Sequence, residues 1–297
     1  MPDFFTRPLK DSSVTLSDGR VLAYAEYGDP DGEPVLLFHG LPGSRMSWGL
    51  LPDCPFPPGV RAIAPDRPGY GGSDPDPGRS HLSWADDVAS LANLLELRRF
   101  SVLGVSGGCP GALACAALMP EQLKVVGVVS GAAPTNAPGV MAGLSGVNRF
   151  FFKLAWYAPW LSTLNIRLVA AMIRRDPQRY INTMKKKLHS VDKEILDRPE
   201  VERMLIDDFT EALTQGPAGM VDDMNANHGK SWGFALDAIK CHVSFWYGGL
   251  DRSVSPAMGR YLAAAVSDSE LIEVPNAGHL WPLIHMQDII SRLFDDA

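Results

Sequence analysis

The stretch SVLGVSGGCPGALACAALM, Ser101–Met119, decides the fold. It opens as a short apolar run, Ser101–Val105, of the kind that forms a buried strand. From Gly107 onward it continues as small residues suited to a tightly packed helix. Between the two stands Gly104-Val105-Ser106-Gly107-Gly108, a G-x-S-x-G turn. A chain passing from strand to helix this abruptly crowds its own two arms, and glycine at 104 and 108 removes the side chains that would collide. Ser106 is thereby predicted to project its hydroxyl from the end of the strand, over the positive end of a helix. A serine hydroxyl alone is a poor nucleophile at neutral pH, so the turn gains chemical meaning only with a base and a carboxylate beside it.

The segments on either side repeat the strand-then-helix pattern. Short apolar runs occur at Val14–Leu16, Val21–Tyr27, Val35–Phe38, Ala62–Ala64, Val125–Val129, Val243–Tyr247 and Leu271–Val274. Runs of this kind suit strands covered on both faces, hence a mostly parallel sheet. Trp84, Val88, Leu91 and Leu95 recur at helical spacing, with Ser83 as the expected cap and Asp86 and Asp87 expected in the first turn. Leu283, Met286, Ile290 and Leu293 form a similar stripe behind Pro282. The alternation predicts an α/β fold with helices on both faces of the sheet.

From about residue 135 to 230 the alternation stops. That stretch reads as helical, is rich in aromatics and methionines, and carries 13 Lys/Arg against 11 Asp/Glu, whereas the remainder carries 14 against 23. We expect a core domain of residues 1–134 and 231–297, with a helical cap, 135–230, inserted after the sixth strand. Phe151, Trp156 and Trp160 of the insert, with Trp281, are candidate pocket residues, and the alternative is that such aromatics form the cap's own core. Arg174, Arg175, Arg179 and Lys185–Lys187 read as a solvated helix face, with attraction of acidic lipid headgroups as the alternative.

The chain has 297 residues, 46% of them hydrophobic and 21% charged, so it holds enough apolar material for a large core. Its net charge of −7 argues against general nucleic-acid binding. Four cysteines, Cys54, Cys109, Cys115 and Cys241, form no metal-ligand spacing and no disulfide framework, and read as buried thiols. No signal-type apolar segment opens the sequence. The greasiest stretch, Phe150–Ile173, is broken by Lys153, Pro159 and Arg167. The expectation is a cytoplasmic protein, monomer or homodimer, with no integral membrane segment and a small-molecule partner.

Of the seven histidines, His279 lies in a loop between the last strand and the last helix, at the sheet edge where open α/β folds bind ligands. It is the candidate base. His285 reads as surface or packing, His39 as ordering a turn, and His242 begins a strand. His81, His189 and His228 have no supporting pattern. Asp251 follows the strand VSFWY directly and reaches the same edge, which makes it the candidate carboxylate. Asp222 and Asp223, in the insert, are weaker alternatives. His39-Gly40-Leu41-Pro42-Gly43 follows the strand VLLF, so the N–H groups of Leu41 and Gly107 are candidates to stabilise an oxyanion above Ser106.

With Phe38–Gly43, Asp66-Arg67-Pro68-Gly69-Tyr70-Gly71-Gly72-Ser73, Gly104–Gly108, Gly249–Asp251 and Gly278-His279 in place, the chain resembles the α/β-hydrolase superfamily, serine type with a helical cap. The order Ser106, Asp251, His279 matches that family's triad order. The resemblance implies a cofactor-independent, metal-free serine hydrolase, esterase-like, acting through an acyl-enzyme on a small or medium apolar ester. It also implies that Asp66 and Ser73 shape a loop near the site. Serine at the elbow departs from the epoxide hydrolases and haloalkane dehalogenases of the family, and Leu41 departs from the H-G-G-P-G of its proline aminopeptidases. Thioesterase, C–C bond hydrolase, amidase and acyltransferase activities remain alternatives on the same triad, and a non-catalytic ligand receptor is the alternative on the same scaffold.

Overall fold

The computed structural model describes residues 6–51 and 56–295; Cys54 and the first five residues lie outside them. Eight strands form one sheet in the order β1-β2-β4-β3-β5-β6-β7-β8. They are β1 (Lys10–Thr15), β2 (Val21–Gly28), β3 (Glu33–Phe38), β4 (Val60–Pro65), β5 (Phe100–Val105), β6 (Leu123–Val129), β7 (His242–Gly248) and β8 (Ser269–Val274). Strands β3 to β8 run parallel, and β2 joins β1 and β4 antiparallel. Strand order reverses between β3 and β5, where β4 goes to one side and β5 to the other. The loops after those two strands therefore diverge and leave a crevice at the carboxyl edge, the usual ligand position in open α/β sheets.

Alternate residues of β3 feed opposite faces. Leu36 and Phe38 pack with Trp84, Val88 and Leu91 of α1 (His81–Leu94), Leu113 of α2 (Cys109–Leu118) and Leu262. Val35 and Leu37 pack with Leu103, Val129 and Trp246 and with the helix that closes the chain. Both faces are covered, as the short apolar runs predict. At most ~1.5–3 kcal/mol of stabilisation comes from each such leucine or valine buried.

Six α-helices lie between β6 and β7: α3 (Gly146–Tyr157), α4 (Pro159–Arg175), α5 (Pro177–Lys185), α6 (Ser190–Leu196), α7 (Pro199–Ala212) and α8 (Ala218–Met224). A π-helical turn, Asn225–Gly229, follows them. Ile166, Ile173, Leu205 and Phe209 of these helices share the second apolar cluster. Asp208 of α7 ties them to the loop after β3, accepting hydrogen bonds from Ser44 N at 3.0 Å, Ser44 Oγ at 2.7 Å and Ser47 Oγ at 2.8 Å. After β7 come α9 (Pro256–Ala265) and α10 (Met286–Asp295).

Three local expectations are corrected. Ser80, not Ser83, caps α1; Ser83 is the third helical residue and completes a reciprocal capping box with it. No acidic residue occupies the first turn, and Asp87 instead holds Arg20 at 2.6 and 2.9 Å, across to the start of β2. Strand β1 starts at Lys10 rather than Val14, because an exposed edge strand carries no apolar run to mark its beginning. Cys109 and Cys115 are buried free thiols, and Cys241 is half-buried.

Candidate active site

Ser106 occupies the turn between β5 and α2 with φ of 51°, a left-handed conformation that is rare and strained for a residue with a side chain. The crowding behind it is measurable. A Cβ on Gly104 would lie 2.8 Å from Cys109 Cα, and one on Gly108 2.6 Å from His39 O. Ser106 is half-buried rather than sealed in the core.

His279 stands in the turn after β8. Its Nε2 lies 3.2 Å from Ser106 Oγ, and its Nδ1 lies 2.7 Å from Asp251 Oδ2. Asp251, in the turn after β7, is 2% exposed. Its other oxygen, Oδ1, accepts from the amides of Ser253 at 2.7 Å and Val254 at 2.9 Å. An ionised carboxylate only accepts, so Nδ1 carries the proton and the lone pair of Nε2 faces the serine hydroxyl. Burial resists charging of the His279 ring, but the facing Asp251 carboxylate outweighs it and raises the pKa above the ordinary histidine value. Backbone bonds stitch the two turns together, from Gly249 N to Val274 O and from Leu250 N to Ala277 O, each 2.8 Å.

The loop after β3 lies against the elbow. A Cβ on Gly107 would stand 3.3 Å from Leu41 N, and one on Gly40 3.8 Å from Ser106 Cβ. Leu41 N makes no backbone hydrogen bond among the described residues. The loop is held from below. His39 Nδ1 bonds Gly40 O at 2.9 Å, Arg67 N donates to His39 Nε2 at 3.1 Å, and Arg67 Nη2 donates to Gly40 O at 2.7 Å. His39 thus orders backbone, with burial holding its pKa well below the ordinary value. Asp66 and Ser73 brace the neighbouring loop: Asp66 Oδ2 accepts from Gly72 N and Arg45 Nη1, and Ser73 Oγ donates to Asp66 O. Burial lifts the Asp66 pKa to about 6 against the pull of Arg45.

Sequence reasoning gave no role to five residues around this arrangement: Arg67, Arg79, Tyr70, Asp192 and Asn227. Arg67, quoted only within its motif, is buried and pairs with Asp223 at 2.8 Å, and Arg79 also pairs with Asp223. Tyr70 Oη donates to the same carboxylate at 2.8 Å. Asp223 is therefore a structural anchor for the Arg67 side and not a partner of His279. Asp192 of α6 accepts from Leu280 N at 2.7 Å, one residue past His279. Asn227, on the π-helical turn, donates from Nδ2 to Gly107 O at 3.1 Å, and its buried Oδ1 has no partner among the described residues. The π-helical turn was the only local irregularity that pointed to it, and it is not visible in residue types.

The pocket candidates part company. Phe151 and Trp156 are half-buried, Trp281 is buried with its Nε1 unpartnered among the described residues, and Trp160 is 72% exposed. Trp160 thus faces away from any enclosed wall. Of the other histidines, His228 is buried, stacked on Phe152 at 3.7 Å, and His81 bonds Ala226 O. A separate cleft of about 420 Å³, between Pro134, Trp232, Phe234 and Tyr261, includes none of Ser106, Asp251 and His279 in its lining. No group of three or more His, Cys, Asp or Glu side chains converges to hold a metal among the described residues.

The chain matches the model of the Alpha/beta hydrolase family over residues 35–292, and it belongs to that family. It is 40% identical over 97 residues to a non-heme chloroperoxidase of Streptomyces lividans, a match covering 32% of this chain and 35% of that protein. With the 2-hydroxy-6-oxononadienedioate/2-hydroxy-6-oxononatrienedioate hydrolase 2 of Pseudomonas putida it shares 26% identity over 93% of this chain and 90% of that one. A thermophilic esterase of Thermogutta terrifontis superposes with a TM-score of 0.68 at 25% identity, covering 97% of this chain and 99% of the other. The chain spans only about a third of the length of the chloroperoxidase that it matches.

Proposed function

We propose that this protein is a cofactor-independent serine hydrolase that cleaves a carboxylic ester through an acyl-enzyme. The observation that carries the reading is the series of contacts from Ser106 Oγ through the His279 ring to Asp251 at 3.2 and 2.7 Å. In this reading His279 Nε2 takes the hydroxyl proton as Ser106 Oγ attacks the ester carbonyl. The N–H groups of Gly107 and Leu41 receive the developing oxyanion, each worth ~10²–10³ in rate. Protonated His279 gives its proton to the departing alcohol, the C–O bond breaks, and water repeats the sequence on the acyl-enzyme. Residues 135–230 act as a cap, and Phe151, Trp156 and Trp281 form the apolar wall of the acyl or alcohol site.

A second reading, cleavage of a C–C bond beside a carbonyl by the same residues, draws support from the near full-length likeness to the Pseudomonas putida hydrolase. A substrate panel separates them. p-Nitrophenyl esters of increasing chain length should turn over with a preference for short to medium acyl groups, beside little activity on thioesters, amides and a vinylogous 1,5-diketone. Preference for the diketone by more than ~100-fold in kcat/KM transfers the assignment to the C–C hydrolase. No turnover of any class, with the protein folded, contradicts both.

A further inference from the structure

Helices α3 and α4 bury one face each and leave the other apolar. On α4, Ser162, Ile166, Ala170 and Ile173 are buried. On its opposite side Trp160 (72% exposed), Leu161, Leu164 (50%), Leu168 (61%) and Met172 face outward. At 3.6 residues per turn these five fall within about a third of the helix circumference. Val147, Phe150 and Tyr157 are exposed on α3, and Tyr157 and Trp160 flank the Ala158-Pro159 joint between the helices. A patch this apolar and this continuous is unusual on a free soluble surface and marks a docking face.

The charge around it says what covers it. The chain carries 34 Asp and Glu, yet none falls between Glu121 and Asp176. Helices α3 and α4 instead carry Arg149, Lys153, Arg167, Arg174 and Arg175. Arg167 and Arg174 border the α4 stripe along one edge, and Arg175 closes its end. No ion pair neutralises Lys153, Arg167, Arg174 or Arg175 among the described residues. A protein of net charge −7 has concentrated cations, with no carboxylate on either helix, around this outward aromatic and leucine face.

We propose that this face docks onto an anionic lipid surface. Trp160, Tyr157 and the leucines enter the headgroup and upper acyl layer, and the long basic side chains reach back to the lipid phosphates. A second copy of the chain is the poorer occupant, because a two-fold contact would set the same unneutralised cations against each other. The attachment lies on the membrane and does not cross it: no helix among the described residues is long and apolar enough to span.

Co-sedimentation of the full chain with phosphatidylcholine vesicles, and with phosphatidylcholine vesicles containing phosphatidylglycerol, tests this at low and at high salt. Binding should require the phosphatidylglycerol and fall with salt. Each cation near an anionic surface raises partitioning about five-fold, so Arg167→Gln with Arg174→Gln should weaken it roughly 25-fold. Leu164→Ser with Leu168→Ser should abolish it, with an unchanged circular dichroism spectrum and melting temperature showing the fold intact. Equal binding to the two vesicle types, no binding to either, or a wild-type dimer that the leucine double variant dissociates would overturn the proposal. The readout needs no turnover, so it is independent of the reaction assigned to Ser106.

Discussion

Asp251 holds His279 by one oxygen while its own second oxygen is held by two amides: Oδ2 lies 2.7 Å from the ring Nδ1, and Oδ1 accepts from Ser253 and Val254. The carboxylate is fixed by bonds that do not involve the histidine, so it sets both the plane and the tautomer of the ring. That relationship yields the first prediction. In Asp251→Asn the amide oxygen keeps the two backbone donors, and the NH₂ turns toward Nδ1. His279 must then accept at Nδ1 and carry its proton on Nε2, which leaves no base for Ser106. We expect kcat to fall ~10⁴-fold with little change in KM. Steady-state kinetics on p-nitrophenyl butyrate checks it, and a loss of less than ten-fold would detach Asp251 from the reaction.

The pH profile carries a definite sign. Burial disfavours the charged ring, but Asp251 and Asp192 more than compensate, so the His279 pKa is raised. The base must be neutral to act. Log kcat/KM should therefore fall with unit slope as pH drops through a midpoint above the ordinary value of ~6.5. A profile flat to pH 4, or a midpoint well below 6.5, would exclude His279 as the base.

Asp192 is a positioning residue in this account. It touches Leu280 N from the helical insert and sits close enough to raise the His279 pKa. Asp192→Asn keeps an acceptor for the amide and removes the charge, so the acid limb should move to lower pH with kcat at the plateau nearly retained. Asp192→Ala should lower the plateau as well, because the turn loses its anchor. Equal pH midpoints in wild type and Asp192→Asn would confine Asp192 to a structural role.

Asp223 should matter for stability. Burial works against its charge, but Arg67 and Arg79 dominate and hold it far below the carboxylate range. Asp223→Asn leaves two buried guanidinium groups without their counter-charge, a loss of about 3–5 kcal/mol at pH 7. A depressed folded pKa stabilises the protein above the unfolded value of ~3.9 and ceases to do so as pH falls through the folded value. The gap between wild type and variant in urea unfolding should therefore narrow below pH 4.

Most of the architecture was legible because its signals are local. Each parallel strand is an apolar run bounded by turn residues, and Gly104 and Gly108 mark the elbow by what they lack. The order Ser106, Asp251, His279 was legible because each residue lies in the turn that follows a recognisable strand. What lay beyond reach depends on contacts between distant segments. Nothing near Asp192 ties it to Leu280, 88 positions away, and nothing in the sequence separates Asp223 from Asp222 as the buried partner of Arg67. Trp160 shows the same limit from the other side. Its composition context fits a pocket wall as well as an outer face, and only packing of α4 decides which side of the helix is covered.

Covalent labelling tests the central claim most directly. Incubation with a fluorophosphonate, followed by intact-mass and peptide analysis, should give one adduct per chain on Ser106, with activity lost in step with labelling. Ser106→Ala should remain folded, unlabelled and slower by roughly 10⁴–10⁶ in kcat. Full hydrolysis by that variant, or an adduct on another residue that accounts for the inactivation, would contradict the account.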